Sequence, residues 1–228
     1  MKKCLIYIYL LLLTSLCCLQ AGAVSSEIRS LSVSDGLPDL IINTIYKDSK
    51  GYVWMGTNTS VERFDGIRLE HYMVEGSNEN LKRVFALVEM PGNELWVGTG
   101  MGLFRLADDA EKLERLAPEM ITSGVHAFCK LGDVLYVGTE KGLYVYKGGV
   151  FEHVLVDKNI FSRANFVTGM VEGENGILWL STMGGLKSLR LSDQSITSFS
   201  DKLAKNGQNL SFYNITRIGS KIFYGYND

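Results

Sequence analysis

The chain has 228 residues, 46% hydrophobic and 21% charged, which places it among packed globular proteins and excludes intrinsic disorder. A formal net charge of −2 excludes the basic footprint of a nucleic-acid binder. Three prolines against 24 glycines point to many tight turns between short elements.

The first element is a leader. Lys2 and Lys3 precede an apolar run from Leu5 to Leu16, and Ala21-Gly22-Ala23 supplies an A-x-A cleavage site, the layout of a secretory signal peptide over residues 1–23. The run is shorter than the roughly 20 apolar residues that a membrane span prefers. Cleavage removes Cys4, Cys17 and Cys18 and leaves 21 basic and 25 acidic residues. Cys129 then has no partner for an intrachain disulfide, and its apolar setting (Val125 to Cys129) predicts a buried, inert thiol. This usage suits a periplasm-like compartment better than a disulfide-rich secreted scaffold.

Residues 30–37 alternate and turn at Asp35-Gly36, which predicts an edge strand. From Asn43 onward the chain reads as short strands. Asn43–Lys47, Tyr52–Thr57, Val61–Phe64 and Ile67–Tyr72 are separated by turns at Asp48 to Gly51, Asn58 to Ser60, and Asp65-Gly66. The pattern then recurs. Leu95-Trp96-Val97-Gly98-Thr99 with Gly102-Leu103, Leu135-Tyr136-Val137-Gly138-Thr139 with Gly142-Leu143, and Leu178-Trp179-Leu180-Ser181-Thr182 with Gly185-Leu186 repeat Tyr52 to Thr57, and Ile222 to Gly225 is a worn fifth copy. The aromatic marker falls at 54, 96, 136, 179 and 223, in steps of 42, 40, 43 and 44. Four strands in each period of this length predict an all-β propeller, one four-stranded blade per repeat. We expect blades at 43–82, 83–124, 125–165 and 166–212, and a partial one at 213–228, so an open or incomplete propeller. Trp54, Gly56, Trp96, Gly98, Tyr136, Gly138, Trp179 and Gly185 recur at matching offsets. They read as packing residues: aromatics wedged between sheets, and glycines where backbones approach or φ turns positive.

The stretch Leu31-Ser32-Val33-Ser34-Asp35-Gly36-Leu37, followed by Ile45, Asp48, Gly51-Tyr52-Val53-Trp54-Met55-Gly56-Thr57 and Phe64-Asp65-Gly66, resembles the two-component regulator propeller repeat. The resemblance spans about residues 27–228. It departs from the pattern at Asn58-Thr59-Ser60-Val61, at Ser181, and in keeping the turn aspartate only at Asp48. It implies the amino-terminal periplasmic sensor region of a bacterial, Bacteroides-type hybrid two-component system that governs the use of complex carbohydrates. It further implies more repeats, a membrane span and a histidine kinase beyond those repeats, and a homodimer in a full-length sensor. On that reading the chain is an amino-terminal segment, in contact with the membrane only through downstream regions, and its ligand is an oligosaccharide.

Propellers bind ligands on the face that carries the longer connections between blades, here Met73–Lys82, Ala117–Gly124, Val156–Asn165 and Asp201–Tyr213. Within them Phe161, Arg163, Asn165, Phe212 and Tyr213 are of the types that stack on sugar faces and bond hydroxyls, and we take them as candidate ligand residues. No catalytic residue, metal site or cofactor is expected. His71, His126 and His153 are scattered through strands, Glu172, Glu174 and Asp133 lie in turns, and no paired carboxylates or nucleophile elbow occur. The competing readings are a propeller glycoside hydrolase or lyase and a protein-binding scaffold.

Overall fold

A computed structural model describes residues 30–74, 81–199 and 211–227. The leader expected at 1–23 lies outside the described residues. Five antiparallel sheets follow one another along the chain. Sheet I is β1 (Thr44–Lys47), β2 (Val53–Gly56), β3 (Val61–Phe64) and β4 (Leu69–Tyr72). Sheet II is β5 (Val84–Met90), β6 (Glu94–Thr99), β7 (Gly102–Leu106) and β8 (Glu114–Arg115). Sheet III is β9 (Val125–Leu131), β10 (Val134–Thr139), β11 (Gly142–Lys147) and β12 (Val150–Val154). Sheet IV is β13 (Val167–Glu172), β14 (Ile177–Thr182), β15 (Gly185–Arg190) and β16 (Ile196–Ser198). Sheet V has two described strands, β17 (Ser211–Ile218) and β18 (Lys221–Asn227).

Each sheet is a simple meander, and the first strands β1, β5, β9, β13 and β17 pack one against the next. The result is four full blades and part of a fifth, in an open propeller arc. Two corrections to the sequence reading concern boundaries. The fifth sheet starts at Ser211, not 213, so Phe212 lies inside a strand. Residues 33–35 form a 3₁₀ turn, not an edge strand, because the Asp35 carboxylate accepts from both the backbone N–H (2.9 Å) and the hydroxyl (2.8 Å) of Ser32.

The core is divided among the seams between sheets. Trp54, Val61 and Tyr72 meet Val84, Leu95 and Phe104 between sheets I and II. Trp96, Leu103 and Val88 meet Val125, Leu135 and Tyr144 between II and III. Tyr136 and Leu143 meet Val167, Leu178 and Leu189 between III and IV, while Leu186, Trp179 and Phe212 close the last seam. Trp54 and Trp96 are buried and Trp179 is half-buried.

Two devices repeat with the sheets. The first is close approach. A Cβ placed on Gly56, Gly98 or Gly138 would lie 2.5, 2.8 and 2.8 Å from a γ-carbon of Val84, Val125 and Val167 respectively, each the first residue of the next sheet. The second is a threonine that closes the hairpin between the second and third strands. Thr99 Oγ1 donates to the Gly102 carbonyl (3.0 Å) and accepts from the Met101 N–H (3.0 Å). Thr139 does the same with Gly142 and Lys141, and Thr182 with Gly185 and Gly184. Gly102 and Gly142 sit at φ +125°, which a side chain would strain. In sheet I the turn residue Asp48 accepts from the Tyr52 N–H (2.8 Å) and the Trp54 indole N–H (2.7 Å), and Glu94 takes the Trp96 indole (2.6 Å).

Gly225 occupies the register position of Gly98, paired with Asn214 as Gly98 is with Ala86, yet nothing lies within 4 Å of a Cβ placed there. Gly98→Ala should therefore lose roughly 1–3 kcal/mol of stability through overpacking. Gly225→Ala should stay within about 0.5 kcal/mol of the parent. Chemical denaturation of the two variants checks both.

Candidate functional site

The seam fixes where each inner strand begins, and the following residue is set free of the ladder. In β5 the register slips between Val84 and Ala86, in β13 between Val167 and Gly169, and in β17 between Phe212 and Asn214. In β9, Val125 pairs with Thr139 and Ala127 with Gly138. Each slip is a bulge, and a bulge re-aims the extra side chain. The extra residues are Phe85, His126, Thr168 and Tyr213. Asn43, just ahead of β1 and bonded through its N–H to the Gly56 carbonyl (2.8 Å), holds the matching place in sheet I.

These five side chains line one cavity of about 440 Å³, together with Arg83, Phe166, Met183 and Asn214. A volume of this size lies within the usual range of ligand pockets. One wall is aromatic: the Phe85 and His126 rings lie 4.1 Å apart, and those of His126 and Phe166 4.8 Å apart. The Arg83 guanidinium stands 5.8 Å over Phe85 and donates to Asn58 Oδ1 (3.4 Å), which also accepts from the Asn43 amide (3.2 Å). The Thr168 hydroxyl is committed to the Phe212 carbonyl (2.5 Å) and so ties sheet IV to sheet V. Tyr213, 43% exposed, and the exposed Asn214 form the opposite side.

Burial holds the His126 imidazole below its usual 6.5, opposed by the Glu140 carboxylate 3.2 Å from Nε2 and reinforced by Arg83. At neutral pH the wall therefore presents a neutral ring, and Arg83 is the fixed charge among the lining residues. Aromatic faces, amides and one guanidinium suit a ligand with flat apolar faces and many hydroxyls.

Of the residues proposed from sequence, Tyr213 lines this cavity and the others do not. Phe212 is fully buried: it takes the place of Val84, Val125 and Val167 in its seam and packs against Leu186, with its ring 5.2 Å from Tyr224. Asn165 is buried and holds its own loop, accepting from the Asp157 N–H (2.9 Å) and donating to the carbonyls of Asp157 (3.1 Å) and Asn159 (2.9 Å). Both are corrected to structural roles. Arg163 sits on a 3₁₀ turn (Arg163–Asn165) and donates to the Ser211 hydroxyl (2.9 Å), while Phe161 is 88% exposed in the loop before it. The expected connection at 201–213 lies outside the described residues up to 210.

Sequence reasoning missed Asn43, Arg83, Phe85, His126, Phe166, Thr168, Met183 and Asn214. A signal for three of them was present: the residue after each seam valine varies, Phe85, His126 and Thr168, as Tyr213 does after Phe212. Cys129, expected to be buried, is half-buried, and desolvation pushes its thiol up to about 11. Among the described residues no group of three or more His, Cys, Asp or Glu could hold a metal ion.

The fold and this geometry define a β-propeller segment whose inner strands present a ring of variable side chains. Residues 36–59 match the family described as the two component regulator propeller, so the chain carries that repeat. Similar solved structures include two extracellular domains from B. thetaiotaomicron, assigned to the hybrid two component systems BT4673 and BT3049. The first matches with TM-score 0.71 and 19% identity over 84% of this chain and 26% of that one. The second matches with TM-score 0.70 and 21% identity over 87% of this chain and 29% of that one. A streptogramin B lyase shares the fold at TM-score 0.62 and 13% identity, over 83% of this chain and 63% of its own. This chain thus spans between a quarter and a third of the length of the two extracellular domains. No curated protein matches it in sequence.

Because the folded His126 titrates below 6.5, the unfolded chain binds more protons just under that pH. The contribution of His126 to stability is full above the unfolded value and is lost as pH falls through the folded one. His126→Gln should flatten this part of the profile, and melting temperatures measured between about pH 5 and pH 7.5 check it.

Proposed function

We propose that this chain is a ligand-reading propeller segment of an exported two-component sensor, and that an oligosaccharide binds in the cavity at the heads of the inner strands. The observation that carries the reading is the bulge. One residue per sheet is aimed into a shared cavity, and its side chain differs in every sheet: Asn43, Phe85, His126, Thr168 and Tyr213. A framework that holds valine at three of the seams and varies the bulged side chain at each is arranged for recognition.

The two component regulator propeller repeat at 36–59 and the likeness in fold to extracellular domains of hybrid systems support the sensor assignment. The leader at 1–23 supports export to the periplasm. The lining offers aromatic faces, amides and one guanidinium but no carboxylate pair, which is the equipment of binding and not of glycoside cleavage. A ligand there touches residues from all five sheets. Its binding energy therefore biases how the sheets sit against one another, and that bias is what a sensor passes on. Transmission to a kinase, and a homodimer to carry it, belong to a longer assembly on this reading.

Calorimetric titration of the full chain with defined oligosaccharides tests the proposal. One class should bind saturably, and Tyr213→Ala should weaken it about tenfold, the loss of one stacking ring. Unchanged affinity in that variant would move the site elsewhere, and absence of binding across the glycans would defeat the carbohydrate reading.

A further inference from the structure

A second cavity lies far along the sheets from the first, where the outer part of sheet II faces sheet III. It encloses about 420 Å³ beside the turns at Pro91, Gly132-Asp133 and Gly148-Gly149. Three rings in mutual contact form its wall: Trp96 and Tyr146 at 4.8 Å, Tyr146 and Phe151 at 4.8 Å, and Trp96 and Phe151 at 5.8 Å. Four charged groups stand at its rim, two basic (Arg105, Lys130) and two acidic (Glu94, Asp133).

The neighbouring seams line the matching place differently. Between sheets III and IV the matching positions are Tyr136 and Val145, and with Val154, Leu189 and Leu191 they leave about 30 Å³. Between sheets I and II the matching pair is Trp54 and Arg63. There a cavity of about 440 Å³ also opens, but the Arg63 guanidinium lies 4.7 Å from the Tyr52 ring centre, 5.5 Å from Trp54 and 5.6 Å from Tyr72, so the chain covers its own aromatics. Arg105 pairs with Glu114 as Arg63 does with Glu70: its Nε and Nη2 donate to Glu114 (3.2 and 3.1 Å), while Nη1 stands 3.9 Å from Glu94. The rings of Trp96, Tyr146 and Phe151 line the cavity.

We infer that this cleft is a second saccharide site, one that takes a neutral pyranose with its apolar face on Phe151 and Tyr146. Two acids and two bases balance, so the rim selects for hydroxyls that both donate and accept and not for net charge. Donors remain for the purpose. Lys130 uses one of its three ammonium protons on the Glu89 carbonyl (2.9 Å), and Arg105 directs two of its five N–H groups at Glu114. The wall is held rigid because the Trp96 indole N–H is bound to Glu94 (2.6 Å).

The indole N–H signals of the full chain provide the test, since Trp54, Trp96 and Trp179 lie in three different seams and can be assigned by Trp→Phe variants. The probes are the methyl glycosides of glucose, galactose and mannose, titrated at millimolar concentration. At least one should shift the Trp96 signal saturably while Trp179 stays in place. Phe151→Ala should weaken that response by about two- to tenfold, and Tyr213→Ala should leave it unchanged. Unmoved Trp54 and Trp179 signals report that Phe151→Ala is folded, and Arg105→Gln, with the same expected loss, replaces it if it is not. The inference is overturned if no probe shifts Trp96, if the shift survives both variants, or if Tyr213→Ala abolishes it. The cavity at the heads of the inner strands has its own readout in Tyr213, so either site can fail alone.

Discussion

The contact between Gly98 and the first valine of the next sheet, Val125, sets the spacing on which everything else in this molecule rests. The same contact joins Gly56 to Val84 and Gly138 to Val167. With no Cβ at these positions, each valine drops against the second strand of the preceding sheet and anchors its own strand there. The aromatic wedges on either side of the seam then reach packing distance, and the interior is divided into one cluster per seam. At the fourth seam Ser181 stands in for glycine and Phe212 for valine. The Thr168 hydroxyl donates to the Phe212 carbonyl across that seam, so a hydrogen bond adds to the packing.

The functional geometry is a consequence of the same anchoring. A valine pinned in the seam and a ladder that resumes two residues later leave one residue with no partner, and the bulge turns it out of the sheet. Repetition of that event brings Phe85, His126, Thr168 and Tyr213 to one cavity, although some 40 residues of chain separate each from the next. The outer cleft has a different origin. Trp96, Tyr146 and Phe151 line it, whereas at the matching place between sheets I and II Arg63 lies over its own aromatic rings.

Much of the fold was legible in the sequence because its cause is local and repeated. The aromatic-apolar-Gly-Thr runs are the second strands, and Gly102, Gly142 and Gly185 mark their hairpins. The buried threonines that close those hairpins were visible in the same runs, yet their hydroxyl bonds had no signature beyond repetition. The site was far less legible. Phe212 and Asn165 have residue types suited to ligand contact, but a valine-like seam position and a loop's own carbonyls claim them. His126 reads as one more residue of an apolar strand until the bulge is seen. The fifth copy is worn enough that the start of its sheet was set two residues late, though its aromatic marker was placed in the right register. Phe223, which matches Trp96 in register, is 48% exposed because no described sheet faces it.

The seam contact itself is open to direct measurement. Nuclear Overhauser effects between the Hα protons of Gly56, Gly98 and Gly138 and the γ-methyl protons of Val84, Val125 and Val167 report it in solution. Strong effects for all three pairs are predicted. Their absence, in a chain whose strand amides are protected from exchange, would contradict the account.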